Sequence, residues 1–204
     1  MLCLHAGIRA FGAAAALLMA VTVAAAQQPG RIRGEIVKAD GPMLSVKTRD
    51  GAMLNVKIDG ATRVTALVKA SLADIKPDTF IGIAGLPQPD GSIAAFSIHI
   101  PPAALRGRGE GARPWDARPG STMTNAFFVN AIAAADGNTL MVKYKNEEKK
   151  VVVTPQTVIA AATKAEKNEL KPGAQIIIFG WEKQSDGSIL AKSMYVGRNV
   201  VPAM

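Results

Sequence analysis

Apolar and polar residues alternate with a period of two through much of the chain beyond residue 34. Residues 44–48 and 54–58 place apolar or β-branched side chains at every second position, with polar side chains between them. Residues 140–144 repeat this alternation in the second half of the chain. Such a pattern predicts β-strands that bury one face and leave the other in water.

The same succession of strands and turns occurs twice, in residues 34–100 and 129–196. Each copy reads as strand, Asp-Gly, strand, turn, strand, short helix ending at Lys-Pro, strand, Asp-Gly, strand. In each copy, the Asp-Gly pair after the first strand is followed 50 residues later by the Asp-Gly pair before the last strand. These pairs begin at Asp40, Asp90, Asp136 and Asp186. We interpret the pattern as an internal duplication.

Five short strands with a helix between the third and fourth is the element order of the OB-fold, a partly open five-stranded barrel. A plain five-stranded barrel or an SH3-like barrel remains the alternative, because element order alone does not fix strand pairing. The helix is indicated by Thr163 with Glu166, a capping-box spacing, before Pro172. We therefore predict an all-β protein of two tandem OB-like small barrels, each with a short helix between strands 3 and 4. The predicted barrels span 31–100 and 125–199.

Residues 1–26 are typical of a cleavable secretory signal. Arg9 precedes an apolar run over residues 11–23, and three alanines end the segment. The alternative is an uncleaved membrane anchor. Export predicts a periplasmic protein, and cleavage removes Cys3, the one cysteine of the chain. The mature protein then has no disulfide, thiolate ligand or cysteine nucleophile.

The chain is basic, with a formal net charge of +8, and the excess is spread evenly along it. An even spread favours a soluble basic export product and leaves open contact with an anionic envelope component or an envelope protein. Nucleic acid is not an expected partner, because strands two and three of the first copy lack the exposed aromatic side chains on which OB-folds stack bases.

The four turn aspartates Asp40, Asp90, Asp136 and Asp186 have a structural explanation, since Asp-Gly suits tight hairpins. Two other readings stay open. The turn carboxylates of each copy could bind a divalent cation weakly. Alternatively, Asp40 with Asp90, or Asp136 with Asp186, could form the carboxylate pair of a hydrolase.

The segment between the copies, residues 101–124, is rich in glycine, proline and arginine and is predicted to be a linker without helix or sheet. Trp115 within it either packs on a barrel and fixes the linker, or is an exposed anchor for a partner flanked by Arg113 and Asp116. These three residues are the best interaction candidates in the sequence.

The repeated unit resembles the small exported bacterial OB-like or barrel domains of unknown function that often occur in tandem. Residues 109–116, Gly-Glu-Gly-Ala-Arg-Pro-Trp-Asp, are similar to a subset from rhizobia-like alphaproteobacteria. The resemblance covers nearly the whole mature chain. It implies the fold and carries no known catalytic residue.

The expected function is a non-enzymatic periplasmic protein that binds or scaffolds an unidentified ligand, with no cofactor and no metal. His99 is the only histidine left after cleavage, so a Ser-His-Asp arrangement would depend on it alone. No glycine-rich phosphate loop joins a strand to a helix. Binding is then favoured by analogy with the common use of the fold.

Overall fold

The computed structural model describes residues 30–134 and 137–202, which form twelve β-strands and three short 3-10 turns. The strands are β1 Ile32–Asp40, β2 Met43–Thr48, β3 Met53–Lys57, β4 Arg63–Lys69, β5 Phe80–Pro87, β6 Ile93–Ile100, β7 Gly111–Pro114, β8 Thr122–Ala134, β9 Gly137–Tyr144, β10 Glu147–Lys164, β11 Gln175–Lys183 and β12 Ile189–Arg198. The all-β prediction is confirmed. The predicted signal, residues 1–26, lies outside the described residues, as does Asp136.

Five of these strands close a barrel. β1 pairs with β2 and β2 with β3, all antiparallel, as the turns at Gly41 and Gly51 require. β12 then lies parallel to β3, and β11 joins β12 back to β1. The glycines at both turns have positive φ, which explains why the Asp-Gly signals located these hairpins correctly.

A second group of five strands also pairs in a ring. β8, β9 and β10 form an antiparallel meander, and β6 lies parallel to the first part of β10. β5 pairs with both β6 and β8, which completes the circuit. β7 adds to the outside of β8.

Neither ring is built from a single sequence copy. Val56 in β3 lies opposite Ile189, and the corresponding residue Val151 in β10 lies opposite Ile93. Each copy therefore contributes its first three strands to one ring and its last two strands to the other. The prediction that residues 31–100 and 125–199 each close their own barrel is therefore wrong. Apolar alternation determines which face of a strand is buried, but it does not determine which other strands cover that face.

This exchange depends on β4 and on the last part of β10. The sequence pattern did not predict either of them as a separate strand. β4 and the last part of β10 cross antiparallel between the two rings, and Leu67 pairs with Ala162. These two residues are counterparts in the two copies, 95 positions apart. The pairing is therefore isologous, as at the twofold axis of a homodimer.

The predicted helices reduce to single 3-10 turns of three residues, Leu72–Asp74 and Lys167–Glu169. At the first turn, the amide and hydroxyl of Ser71 both donate to the carboxylate of Asp74. In the second copy the cap is Glu166, and Thr163 belongs to β10 instead. The proline that follows each turn leaves too few residues for a longer helix.

Three apolar clusters fill the molecule. One fills the barrel around Ile36, Val56 and Met194, and a second fills the other ring around Ile83 and Val151. The third lies between them and combines the following residues of both copies and the intervening segment: Leu67, Ala84, Phe96, Trp115, Met123 and Ala160. The predicted linker thus belongs to the core and also contains β7, so the prediction that 101–124 lacks sheet is wrong.

Candidate functional site

Four arginines lie against Trp115 or Phe96 at the third apolar cluster, and a fifth, Arg49, lines the adjoining cavity. We call Arg31, Arg33, Arg49, Arg113 and Arg118 the arginine cluster. The Arg31 guanidinium carbon lies 3.6 Å from the centre of the indole ring, and those of Arg113 and Arg33 lie at 5.7 and 6.0 Å. Arg118 lies 4.1 Å from the centre of the Phe96 ring. Such geometry gives cation–π attraction, which holds the cationic groups against an apolar base.

Trp115 is the base of this site and is only 8% exposed. The structure therefore bears out the reading in which the indole packs and fixes the segment, and it gives no exposed anchor at Trp115. The indole N–H has no hydrogen-bond acceptor among the described residues. Trp115 therefore acts on the protein surface indirectly, because its ring supports the arginine side chains that lie against it.

Strand β1 supplies Arg33, and Arg31 lies directly before its first residue. Arg31 and Arg33 are two positions apart, so their side chains leave the same face of the strand. Arg33 is buried, which is rare for an arginine and requires a charged partner. That partner is Asp116, whose Oδ1 accepts a hydrogen bond from Arg33 Nη2 over 2.7 Å.

A tight loop from Trp115 to Ser121 presents Asp116 and Arg118 beside the indole. The Trp115 amide donates to the Ser121 carbonyl over 2.8 Å, and the Ser121 hydroxyl donates back to the Trp115 carbonyl over 3.1 Å. The Ser121 amide also donates to the carbonyl of Arg118 over 3.1 Å. The loop is thus closed by its own backbone, while Asp116 is left at its rim.

Asp116 is held as a bound anion would be. Besides the contact from Arg33, its Oδ2 accepts the Arg31 amide over 3.2 Å and lies 3.4 Å from Arg31 Nη1. Partial burial alone would raise the pKa of this carboxyl. The hydrogen bonds and charges of Arg33 and Arg31 outweigh burial, so its pKa is lowered.

The remaining charges are crowded. Burial lowers the pKa of Arg49, and the charges of Arg33 and Arg118 lower it further. Burial and the charge of Arg31 act on Arg113 in the same way. A lowered pKa means that each cation is in an environment less favourable to its charge than water is.

An open cavity of about 390 Å³ lies against this group and includes Arg31, Arg33 and Arg49 in its lining. Asp50 and Asp116 line it as well. Asp50 is engaged locally, because it accepts a hydrogen bond from the hydroxyl of Thr48. Three arginines and two aspartates thus line the cavity, and Arg113 and Arg118 add positive charge at the adjoining aromatic rings, which makes the site suited to an anion.

The turn aspartates lie elsewhere and serve their own turns. Ser92 donates to Asp90 through its hydroxyl, at 2.7 Å, and through its amide, at 2.9 Å, and these bonds lower the pKa of Asp90. Ser188 makes the same pair of bonds to Asp186. Lys57 lies 2.6 Å from Asp186 and is the main reason why the pKa of Asp186 is lowered.

The structure does not bring together Asp40 and Asp90, the first-copy pair of the hydrolase reading. Strand exchange places Asp40 on the barrel and Asp90 on the other ring, although both belong to the first copy. Asp40 is exposed and lies 3.5 Å from Lys38. Within the described residues, no three His, Cys, Asp or Glu side chains are grouped so that they could hold a metal ion.

His99 is a packing residue in this structure. Its ring covers Gly82 on the neighbouring strand, and a Cβ added at Gly82 would lie 1.9 Å from the imidazole Cε1. Burial lowers the pKa of His99 to about 4, against a smaller opposing effect of a hydrogen bond to the Gly82 backbone. The charge of Arg113 lowers the pKa of His99 further, so the imidazole is neutral at neutral pH.

Sequence reasoning found Arg113, Trp115 and Asp116 but missed Arg31, Arg33, Arg49 and Arg118. One partial signal was available, since Arg31 and Arg33 are two positions apart and so share the face opposite Ile32 and Ile36. Nothing in the sequence joins residue 33 to residue 116, which are 83 positions apart.

The fold and the site together define an all-β protein with a closed five-stranded barrel and a basic surface site. Residues 129–194 match DUF5666, a domain of unknown function. The match covers the second sequence copy. No curated protein and no solved structure shows significant similarity to the chain. Among residues 30–134 and 137–202, no helix has the length and apolar character needed to span a membrane.

Proposed function

We propose that the chain is a non-enzymatic periplasmic binding protein whose arginine cluster binds a phosphate-bearing group of an envelope component. The observation that carries this proposal is the set of three guanidinium groups, of Arg31, Arg33 and Arg113, against a buried indole, beside an open cavity that Arg49 also lines. Export rests on the sequence of residues 1–26. The two rings of strands would then be one duplicated OB-like unit that serves as a rigid support.

The electrostatics favour a ligand of this kind. Cations that depress one another's pKa values cost folding energy, and a bound anion would relieve that cost. Arginine is also the side chain best shaped for phosphate, because its planar donors bind two oxygens at once. A cavity of about 390 Å³ has the size of a small-ligand site.

The turn aspartates do not support a comparable proposal. Asp90 and Asp186 accept hydrogen bonds from the serines two positions further on, which is what Asp-Gly turns need for their own geometry. We therefore base neither the cation-binding alternative nor the hydrolase alternative on them.

The test uses two phosphate sources and the chain from residue 27 onwards. Calorimetry with glycerol 1-phosphate probes a soluble phosphate ester. Flotation with phosphatidylglycerol vesicles, against phosphatidylcholine vesicles, probes a lipid headgroup. We expect binding in at least one arm, weakened by salt because the attraction is between charges. Binding confined to the vesicles would identify the lipid headgroup as the source.

The cluster variant carries Arg49→Ala and Arg118→Ala, two exposed members whose removal leaves the Arg33–Asp116 pair intact. The matched control carries Arg63→Ala and Lys69→Ala, which removes the same charge from exposed positions of β4. We expect about tenfold weaker binding in the cluster variant than in the control. Equal affinities in the two variants, or no binding in either arm, would overturn the proposal.

A further inference from the structure

Asp116 occupies the donors that an incoming phosphate group would need. Its two oxygens accept a guanidinium N–H of Arg33 and the backbone N–H of Arg31, at 2.7 and 3.2 Å. The Arg31 guanidinium completes the contact at 3.4 Å. A backbone N–H and two guanidinium groups around one oxyanion is an arrangement typical of a phosphate site.

The position of Asp116 also suits a group that can leave. Its side chain is 38% exposed, whereas the side chain of Arg33 beneath it is 7% exposed. The carboxylate thus shields the buried guanidinium from solvent. The ends of its loop are fixed independently, by the packing of Trp115 and by the hydrogen bonds of Ser121. Asp116 can therefore change rotamer without disturbing the anchors.

Charge favours a phosphate group over the Asp116 carboxylate at the arginine cluster. Asp116 brings one negative charge to a group of five cations, whereas a phosphate monoester carries between one and two at neutral pH. The phosphate monoester also has three terminal oxygens, so it can reach arginines beyond the two that Asp116 contacts. Arg49 lines the same cavity as Asp116.

We infer that Asp116 is an internal substitute for the ligand, and that a phosphate group binds by displacing its carboxylate from Arg33 and Arg31. This inference rests on the proposed function and adds a regulation to the same site. With Asp116 in place, the cluster is closed to weak anions and keeps Arg33 paired. The phosphate must compete with Asp116, so the measured affinity is lower than the arginines alone would give.

The test compares Asp116→Asn with the wild-type chain, using the same glycerol 1-phosphate and phosphatidylglycerol probes. Asparagine keeps the size and an acceptor oxygen but loses the charge. Asp186→Asn is the matched control, because it also removes a carboxylate paired with a cation, Lys57, but on another part of the barrel. We expect Asp116→Asn to bind about tenfold more tightly than the wild type, and Asp186→Asn to bind as the wild type does.

Folding is monitored in the same samples by thermal unfolding. Asp116→Asn should lower the melting temperature in buffer, because Arg33 loses a charged partner, and phosphate should raise it more than in the wild type. Wild-type binding with no gain in Asp116→Asn would overturn this inference and leave the proposed function standing. A failure of both chains to bind either probe would overturn both.

Discussion

A disulfide between positions 57 and 190 should form within one chain and join the two sequence copies. Lys57 in β3 lies opposite Leu190 in β12, and both side chains are partly exposed. Neighbouring strands lie about 4.8 Å apart, within the Cα separation that a disulfide spans. The chain from residue 27 onwards has no other cysteine, so in it Lys57→Cys with Leu190→Cys gives one bond that can be assigned without ambiguity.

The matched control is Lys57→Cys with Ala94→Cys. Position 94 in the first copy corresponds to position 190 in the second, and Ala94 would face Lys57 if each copy closed its own barrel. In the structure, Ala94 lies opposite Val152 on the other ring. The control pair therefore tests the arrangement without strand exchange, with the same chemistry at the same first position.

The size of the effect follows from the loop that the bond closes. Positions 57 and 190 enclose about 130 residues, for which the chain-entropy treatment gives an upper value of about 5 kcal/mol. We expect oxidation to raise the urea midpoint of the 57/190 variant, and intact mass with peptide mapping to show an intrachain bond. Efficient oxidation of the 57/94 variant, with none in the 57/190 variant, would refute the exchange.

Three other predictions concern the core. The pKa of His99 is lowered in the folded state, so the unfolded state binds more protons below about pH 6.5 and stability is lost as pH falls towards 4. From about pH 7.5 to pH 4.5 this lowers the free energy of unfolding by about 2.5 kcal/mol. Urea titrations should show the loss in the wild type and not in His99→Tyr, in which position 99 carries the same residue type as its counterpart Tyr195. Trp115→Ala should lower the free energy of unfolding by about 3–5 kcal/mol, and a loss below 1 kcal/mol by urea titration would contradict its role as the base of the site. Gly82→Ala should destabilise the fold because its Cβ meets the imidazole of His99, and thermal unfolding of Gly82→Ala with His99→Ala should recover part of the loss; no recovery would show that the clash is not the cause.

Much of the local structure was predictable because short-range physics determines it. Alternation located the strands around residues 44–48 and 140–144, and the Asp-Gly pair at Asp40 marked a hairpin because its glycine must adopt positive φ. The burial of Trp115 was one of the two alternatives that the sequence left open. These properties belong to single residues and their immediate neighbours.

The helices and the intervening segment were predicted less well. Proline and glycine in residues 101–124 indicated a linker, yet β7 forms there because β8 offers an unpaired edge. The helix before Pro172 reduced to one 3-10 turn because β10 continues to Lys164 by pairing with β4. In both places a strand from elsewhere in the chain supplied hydrogen bonds that local sequence could not anticipate.

By itself, the sequence determined the strands with clear alternation, the tight turns at Asp-Gly and the apolar faces to be buried, since periodicity and turn chemistry act over a few residues. Only the tertiary structure decided that β3 pairs with β12 and not with β6, because both last strands present equivalent apolar faces to the same partner. The arginine cluster also depends on the tertiary structure. Arg33 and Asp116 meet because β1 and the loop after β7 pack on one buried indole, and no local rule encodes that contact.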